Sequence, residues 1–375
     1  MAVTTRPPPP AGETGATPTA APPASFRPSP LGLVARAIVW AAIAWLVFVF
    51  PLSRAGFELN QYSQAVIYGI IGLSLNVLLG YVGQISLGHQ AFVGIGAFTA
   101  AYVVSEQSQS FWLGVGAAVA VGGLQALILG GVSLRITGLY FALVTLSYGL
   151  VAEQNIFQIE ELTGGGQGQP APKPDGFESD WRYYYLCLAF LALVLWIDWR
   201  MMRTKSGRAL LALRENPRVA STFGVNVKVL TLFASVVSGA FAGLGGALLA
   251  FNDTFVSPET WNFNLALIFV IMTVVGGLRS RAGVVIGSAF FALIGYLLDR
   301  FSFLQDGLNA IPGAPDLSNE VAPLVIGPIL LLLTLTLYPG GIGQQIRPVV
   351  SWLRGRRFDL KDRGMKEVQI SDVRA

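Results

Sequence analysis

Polar and glycine residues interrupt an otherwise apolar run between Gly72 and Val103. The residues of this interruption, together with an amide just ahead of it, are Asn76, Gly83, Gln84, Ser86, Gly88 and His89. In a lipid bilayer, non-helical backbone is tolerated only where it is buried in protein or lines a water-filled cavity. The pattern therefore predicts an element that lines a path for a polar solute. A plain turn between two helices is the alternative.

A basic loop at 201–228 is the second unusual segment. Within it, residues 208–214 have helical propensity, and Pro217 marks a helix boundary or a first helical turn. Residues 219–223 can form a short helix, and Gly224 suits the left-handed cap that would close it. A short helix on such a loop suits docking into a groove of a partner protein. A solvated, positively charged loop is the alternative.

The remaining side chains offer little catalytic chemistry. The chain has one histidine and one cysteine, Cys187, which excludes an intramolecular disulfide and a multi-cysteine metal site. It contains no HExxH or GxSxG set and no phosphate loop of the form GxxxxGK[ST]. We therefore expect no catalytic residue, no metal site and no bound cofactor, and the sequence disfavours a membrane enzyme.

The composition indicates a membrane protein. Of the 375 residues, 53% are hydrophobic and 12% are charged, whereas a soluble domain carries about 25% charged residues. The 43 glycines agree, since glycine is more frequent in transmembrane helices than in soluble ones. The sequence predicts an all-α, polytopic integral membrane helical bundle. The net charge of +4 is assigned to membrane topology and not to nucleic-acid binding.

About ten transmembrane helices are expected from apolar stretches of roughly 20 residues each. The stretches lie at 33–52, 62–81, 87–104, 111–133, 138–155, 183–200, 229–250, 263–278, 283–299 and 321–338. The links at 80–89 and 276–283 are either tight turns or broken helices. Pairs of glycines four residues apart, such as Gly239 with Gly243 and Gly283 with Gly287, predict close helix packing.

The chain is expected to divide into three parts. A proline-rich tail at 1–30 has nine prolines and too few apolar side chains to form a core, which predicts disorder. A transmembrane domain follows at 31–345, and a charged tail at 346–375. The segment 156–181 is expected to be an external loop.

The distribution of lysine and arginine predicts the orientation. The loop at 199–228 carries seven basic residues against one acid, and the tail from Arg347 carries eight basic residues. The segment 153–182 instead holds six acids against two basic residues. With ten spans, the clearly basic loops fall on one face and this acidic loop on the other. Both termini are then cytoplasmic, in a multi-pass protein of the plasma (inner) membrane.

Ionisable side chains are nearly missing from the interiors of the expected spans. Arg36, Asp198 and Asp299 lie near span ends. Intramembrane ionisable residues mark ion and proton pathways, so their scarcity disfavours an ion-coupled secondary carrier, although backbone carbonyls can also bind sodium. The energy for any transport is expected to come from outside this chain.

The two unusual segments also carry a resemblance to a known family. The strings that match are GLSLNVLLGYVGQISLGHQAFVGIGAF, LRITGLYFALVTLSYG, ELTGGGQG, SGRALLALRENPRVASTFGVNV and LYPGGIG, which run from about Gly72 to Gly343. In these strings the chain resembles the permease subunits of branched-chain amino acid ABC importers, the LivM/LivH type, and is more similar to the LivM branch. The proline-rich start and the tail after Arg354 lie outside the resemblance.

The resemblance implies a set of partners. These are a homologous second permease, two cytoplasmic ATP-binding subunits that use the ATP, an extracytoplasmic substrate-binding protein and the surrounding membrane lipid. It also implies that the loop at 201–228 is the ATPase-docking element. The residues of that element are Gly207, Arg208, Arg214, Glu215, Ala220 and Gly224. Ala220 and Gly224 keep the spacing of the family motif EAAxxxG, while Arg218 stands at its acidic position.

The resemblance further implies alternating access as the mechanism and branched-chain amino acids as the substrate. Related permeases serve urea, short amides or other amino acids, and these are the alternative substrates. An ion-coupled secondary carrier is the alternative from a different class of protein.

Overall fold

The computed structural model describes residues 30–53, 56–136, 138–300, 322–337 and 340–353. The helices are α1 (Pro30–Ala44), α2 (Phe57–Leu75), α3 (His89–Ser105), α4 (Phe111–Ser133), α5 (Leu139–Gln154), α6 (Glu160–Thr163), α7 (Asp180–Arg203), α8 (Lys205–Glu215), α9 (Pro217–Thr222), α10 (Val227–Asp253), α11 (Phe263–Gly276), α12 (Arg281–Arg300), α13 (Ala322–Leu337) and α14 (Gly341–Leu353). Two π-helical segments, Trp45–Val49 and Asn76–Val82, continue α1 and α2.

The expected helical membrane bundle is confirmed. Ten helices of 14 residues or more, within the described ranges, occupy the ten intervals that the sequence predicts. Glu58–Val82, Phe111–Val132, Asp180–Arg203 and Val227–Asp253 are long and apolar enough to cross a membrane. The shorter apolar helices are Leu33–Val49, Phe263–Gly276, Arg281–Leu297 and Leu324–Thr334.

Polar caps define several helix starts. The side chains of Ser110, Asn226 and Asn262 each accept a hydrogen bond from a backbone amide in the first turn of α4, α10 and α11. Such caps satisfy amides that have no partner within the helix. The starts of these three apolar helices are therefore set by local sequence.

Helix α10 lies at the centre of the bundle and packs against α2, α3 and α4. Its predicted glycine pair explains the close approach, because a Cβ on Gly243 would overlap the backbone carbonyl of Ala118 in α4. A Cβ on Gly239 would likewise overlap the backbone of Gly122. Helix backbones can approach this closely only where both faces carry small residues.

The segment expected as an external loop has defined structure. It contains α6 and the two-residue strand β1 (Gln169–Pro170). This strand pairs antiparallel with β2 (Phe255–Val256), directly after α10. The ion pair between Lys173 Nζ and Asp180 Oδ1, at 2.5 Å, joins the segment to the start of α7.

Several of the expected segment boundaries fall inside helices. The loop at 201–228 consists mainly of α8 and α9, with the last turn of α7 and the first residues of α10 at its ends. The boundary between 345 and 346 lies within α14. Most of the tail at 1–30 and the chain after 353 lie outside the described residues.

Candidate functional site

The first break in the helical bundle lies between α2 and α3. The π-helical segment Asn76–Val82 ends at Gly83, whose φ of 80° is in the left-handed region that glycine adopts without strain. Residues 83–88 are not helical, and α3 begins at His89. This stretch is called the α2–α3 break below.

The break runs from the α8 end of the bundle into its interior. Gly83 is beside the side chain of Arg214 in α8, at the end of the bundle that holds α8 and α9. The ring of His89 instead bonds to Ser74, which bonds to Ser238. Ser238 lies eleven residues after the start of α10, or about 16 Å along that helix at 1.5 Å per residue. The break is thus a length of non-helical chain that reaches the depth of Ser238 in α10, which favours a path-lining element over a plain turn.

The break packs against α5 through backbone. The amide of Leu87 donates to Thr145 Oγ1 at 3.0 Å. A Cβ on Gly88 would overlap the carbonyl oxygen of Thr145. A Cβ on Gly149 would lie 2.6 Å from the side-chain nitrogen Nε2 of Gln90. Glycine at 88 and 149 is therefore what lets α5 and the start of α3 meet.

A hydrogen-bond network fixes the tautomer of His89. The hydroxyl of Ser74 donates to the carbonyl of Ser238 at 2.7 Å, which uses its single proton. The 2.8 Å contact between Ser74 Oγ and His89 Nε2 then has the imidazole as donor. In the neutral imidazole, His89 Nδ1 is then an acceptor, and it has no hydrogen-bond partner among the described residues.

Several other polar atoms of the break are buried without a partner. Within the described residues these are Gln84 Oε1, Ser86 Oγ and both amide atoms of Gln90. Gln84 is 8% exposed, and Ser86, His89 and Gln90 are fully buried. Most buried polar groups in proteins are hydrogen-bonded, so such a cluster is typical of a site that gains partners from a ligand, water or another conformation.

The second link, between α11 and α12, is a tight turn. The amide of Ser280 donates to the carbonyl of Gly277 at 3.1 Å, and Arg279 has a φ of 68°. The amide of Arg279 donates to Asn76 Oδ1 at 2.9 Å. Asn76, predicted as a path residue, therefore joins this turn to the π-helical segment.

Helix α8 contacts both links directly. The guanidinium of Arg214 donates to the carbonyl of Gly80 in the π-helical segment. Its neighbour Glu215 pairs with Arg279 at 2.7 Å between Oε1 and Nη2. The hydrogen bond and charge of Arg279 hold the pKa of Glu215 below its ordinary range. The pair is therefore present above the ordinary glutamate pKa of about 4.3, and it is lost as the pH falls through the lower pKa of the folded protein.

A buried carboxylate connects α7 to the same end of the bundle. Asp198 is 1% exposed and accepts a hydrogen bond from the hydroxyl of Tyr81 at 3.0 Å. It also forms an ion pair with Arg281, at the start of α12. A buried charge needs such partners to offset its desolvation. Three elements thus meet at Asp198.

Helix α9 presents an apolar surface outward. Asn216 Oδ1 caps it by accepting from the amides of Arg218 and Val219, and Gly224 follows with a φ of 79°. Ala220 is buried, whereas the side chains of Val219 and Phe223 are 50% and 82% exposed. An exposed phenylalanine one turn from an exposed valine is a small apolar patch, called the α9 patch below.

The structure brings together most of the residues that the sequence singled out. Gln84, Ser86, Gly88 and His89 lie in the interior part of the break, while Asn76 and Gly83 lie near α8. In the loop, Arg214 and Glu215 face the bundle, Gly207 packs on the backbone of Met202, and Arg208 is exposed. Ala220 and Gly224 belong to the α9 helix and its cap.

Sequence reasoning assigned no site role to five residues whose partners are distant in the chain, which are Tyr81, Thr145, Asp198, Arg279 and Arg281. It also assigned none to Gln90 and Phe223. The bond from Arg279 to Asn76 spans 203 residues, and no local pattern predicts it. Phe223 and Gln90 carried a usable signal: an aromatic residue at the end of a polar loop helix, and an amide continuing a polar string.

An apolar cavity of about 190 Å³ lies at the other end of α3. It is lined mainly by α3 and the segment from 156 to 163. The lining residues include Ile95, Phe98, Tyr102, Ile156, Phe157 and Leu162. The cavity and the break are therefore on one helix, separated by less than two turns from His89 to Ile95.

An apolar helical bundle with several helices long enough to cross a bilayer indicates a multi-pass membrane protein. A model of the family described as branched-chain amino acid transport system / permease component matches residues 59–334. The chain belongs to this family, and the resemblance inferred from the sequence is confirmed. It is a permease subunit of a transport system.

Known relatives agree with this family. The LivM permease of the high-affinity branched-chain amino acid transport system of Escherichia coli is 28% identical over 347 residues, covering 85% of this chain and 76% of the relative. A probable LivH permease of Methanocaldococcus jannaschii is 33% identical over 41% of this chain and 46% of its own length. The guanosine ABC transporter permease NupQ of Bacillus subtilis is 27% identical over 73% of this chain and 89% of its own length.

Proposed function

We propose that this chain pairs with a second, homologous permease, and that two cytoplasmic ATP-binding subunits drive import through the pair by alternating access. The observation that carries the proposal is the direct contact of α8 with both links of the bundle, through Arg214 to Gly80 and Glu215 to Arg279. A loop that only carried positive charge for topology would not need these contacts. This chain binds no ATP in the proposal, and the partner subunits hydrolyse it.

The α9 patch is the proposed docking point. Val219 and Phe223 are apolar, exposed and one turn apart, which is the spacing that a short helix uses to insert side chains into a partner's groove. Arg218, at the acidic position of the family motif, is exposed beside them. We infer that the ATPase groove receives Phe223 and faces a basic residue at Arg218.

The proposed transmission runs from α9 through α8 into the bundle. Displacement of α8 pulls on the carbonyl of Gly80 and, through Arg279, on the side chain of Asn76. Both atoms belong to the π-helical segment that leads into the break. A π-helical segment is a local irregularity often found at functional sites, and here it would change conformation as the ATPases close.

The orientation follows from this docking. The end of the bundle with α8 and α9 is cytoplasmic, and both termini are on the same side. The acidic segment with β1 faces outward, where a substrate-binding protein would deliver the solute. The proposed location is the plasma (inner) membrane.

Branched-chain amino acids are the proposed substrate, because the family model and the LivM relatives carry that description. One relative is described as a guanosine ABC transporter permease, so guanosine is the alternative solute to test. Uptake of labelled leucine by vesicles with the whole importer, competed by valine and isoleucine but not by guanosine, is the expected result. Competition by guanosine alone would reject the substrate.

A substitution in the α9 patch tests the docking. Phe223→Asp is expected to remove co-purification of the ATP-binding subunits and leucine uptake, because it places a charge in an apolar groove. Phe223→Leu keeps an apolar side chain and is expected to retain both. If Phe223→Asp co-purifies with the ATP-binding subunits as well as the wild type does, the α9 patch is not the docking point.

A further inference from the structure

The α2–α3 break contains buried hydrogen-bond donors and acceptors that have no partner among the described residues. We propose that the break is a binding site for a zwitterionic α-amino acid. The inference rests on the proposed function, and it deepens that function by placing recognition within this chain in addition to any binding protein. The donors would hold the α-carboxylate and the acceptors the α-ammonium group.

The donor side is the N-terminus of α3. This helix is 17 residues long and starts after Gly88, which supplies no side-chain cap. The amide of Ala91 bonds to the carbonyl of Gly88, while those of His89 and Gln90 precede the first intrahelical acceptor. Helix N-termini carry partial positive charge and bind carboxylates.

Unpaired side chains at this helix start provide the second observation. The hydroxyl of Ser86 and the amide nitrogen of Gln90 are fully buried donors without a partner in the described residues. Gln90 lies against Gly149 of α5, beside Gly88. Ser86 thus lies three residues before the first backbone amide that would hold a carboxylate, and Gln90 carries the second.

The acceptor side lies on the same stretch. His89 Nδ1 is an acceptor because its Nε2 proton is bonded to Ser74. Gln84 Oε1 and Gln90 Oε1 are further buried acceptors without a partner in the described residues. An α-ammonium group has three protons to donate, which matches these three acceptors.

The charge of the site agrees with this ligand. The side chains of Gln84, Ser86 and Gln90 are neutral amides and a hydroxyl, and His89 is the neutral tautomer with Nδ1 free. A zwitterion has no net charge, so its entry needs no compensating charged side chain. A sugar or a nucleoside would leave the helix N-terminus without an anion.

Helix α5 is the element that must move to admit the ligand. It meets the break through Gly88, Gly149 and Thr145, where glycine leaves backbone surfaces that can part without side-chain rearrangement. Its other face is open, with Leu139 and Tyr140 each 72% exposed.

Equilibrium binding of labelled leucine to the purified complex of permeases and ATP-binding subunits, without binding protein, tests the site. Leucinamide lacks the carboxylate and 4-methylpentanoate lacks the ammonium group. Each is expected to compete at least about tenfold more weakly than valine, since each loses charge-assisted hydrogen bonds. Equal competition by either analogue, or no measurable leucine binding, would overturn the proposal.

A pair of matched variants locates the site. Gln90→Glu places a negative charge beside the expected carboxylate, and the Kd for leucine should rise at least about tenfold. Gln107→Glu makes the same change at an exposed position beyond α3 and should leave the Kd unchanged. If the Gln90→Glu complex binds leucine like the wild type, this site is rejected. The proposed function still stands in that case if the wild-type importer transports leucine. If the wild-type importer transports no amino acid at all, the proposed function itself fails.

Discussion

Asp198 is the side chain on which three distant parts of the chain converge. It lies near the end of an apolar helix and is almost fully buried, yet it bonds to Tyr81 of the π-helical segment and Arg281 of α12. The pair of Glu215 with Arg279 is close by in sequence but exposed, with 72% of the Glu215 side chain open to solvent. We assign a structural role to the buried pair of Asp198 with Arg281. The exposed pair of Glu215 with Arg279 belongs to the proposed transmission from α8 into the bundle.

The two pairs should contribute differently to the free energy of unfolding of the protein. Asp198→Asn leaves Arg281 without its counter-charge, and we expect the free energy of unfolding to fall by about 2–3 kcal/mol, below the range for a fully buried pair because Arg281 is 29% exposed. Glu215→Gln should shift the unfolding much less, because the Glu215 side chain is exposed and its ion pair is screened by solvent. Thermal unfolding of both variants in one detergent checks this, and equal shifts would contradict it.

The transmitting pair should affect coupling. Glu215→Arg places two cations together and should lower leucine uptake per ATP hydrolysed, while the double variant with Arg279→Glu restores the pair with its charges exchanged. We expect the double variant to recover a large part of the lost ratio. Lys205→Ala, an exposed change on the same helix, is the control. A double variant no better than Glu215→Arg would reject transmission through this pair.

At the residue scale, the sequence predicted the polar string of the break but not its partners. His89, the last residue of this string, lies at the start of α3. Its bond to Ser74 joins residues that are 15 apart in the chain, and the bond from Ser74 to Ser238 joins residues that are 164 apart. Contacts of that range depend on packing, which no local spacing encodes.

Among the helices, the α4–α10 pair depends most on backbone contact. Gly243→Ala should lower the free energy of unfolding by about 1–3 kcal/mol, because the new methyl group would overlap the Ala118 carbonyl. Gly116→Ala is the matched control on α4, since nothing lies within 4 Å of its Cβ position. That variant should be unchanged or up to about 1 kcal/mol more stable. Equal destabilisation of both variants would contradict the packing.

The elements themselves were largely predictable. Long apolar stretches with glycine or polar ends gave all ten intervals, because a bilayer requires helices of a nearly fixed length. The distinction between a broken helix at 83–88 and a tight turn at 277–280 was not predictable. Both are glycine-rich links between apolar stretches, and only the contacts of His89 and Arg279 tell them apart.

The charge distribution predicts the membrane topology of the whole molecule. The proposed docking requires the same topology, with α8 and α9 on the cytoplasmic side. The sole cysteine, Cys187, is fully buried, so the wild-type chain offers no background for thiol labelling. With a membrane-impermeant maleimide, Phe223→Cys should be labelled only from the cytoplasm. Glu178→Cys, in the exposed acidic segment, should be labelled only from outside. Labelling of both from one side would reject the topology.

In the proposed importer, this chain is part of a transport path that is driven by the ATP hydrolysis of its partners. Leucine uptake by right-side-out vesicles that hold the complete importer, with binding protein outside, measures this dependence. We expect uptake only when ATP is inside, and no change when ionophores remove sodium and proton gradients. Uptake that continues without ATP while an ion gradient is imposed would contradict the proposal.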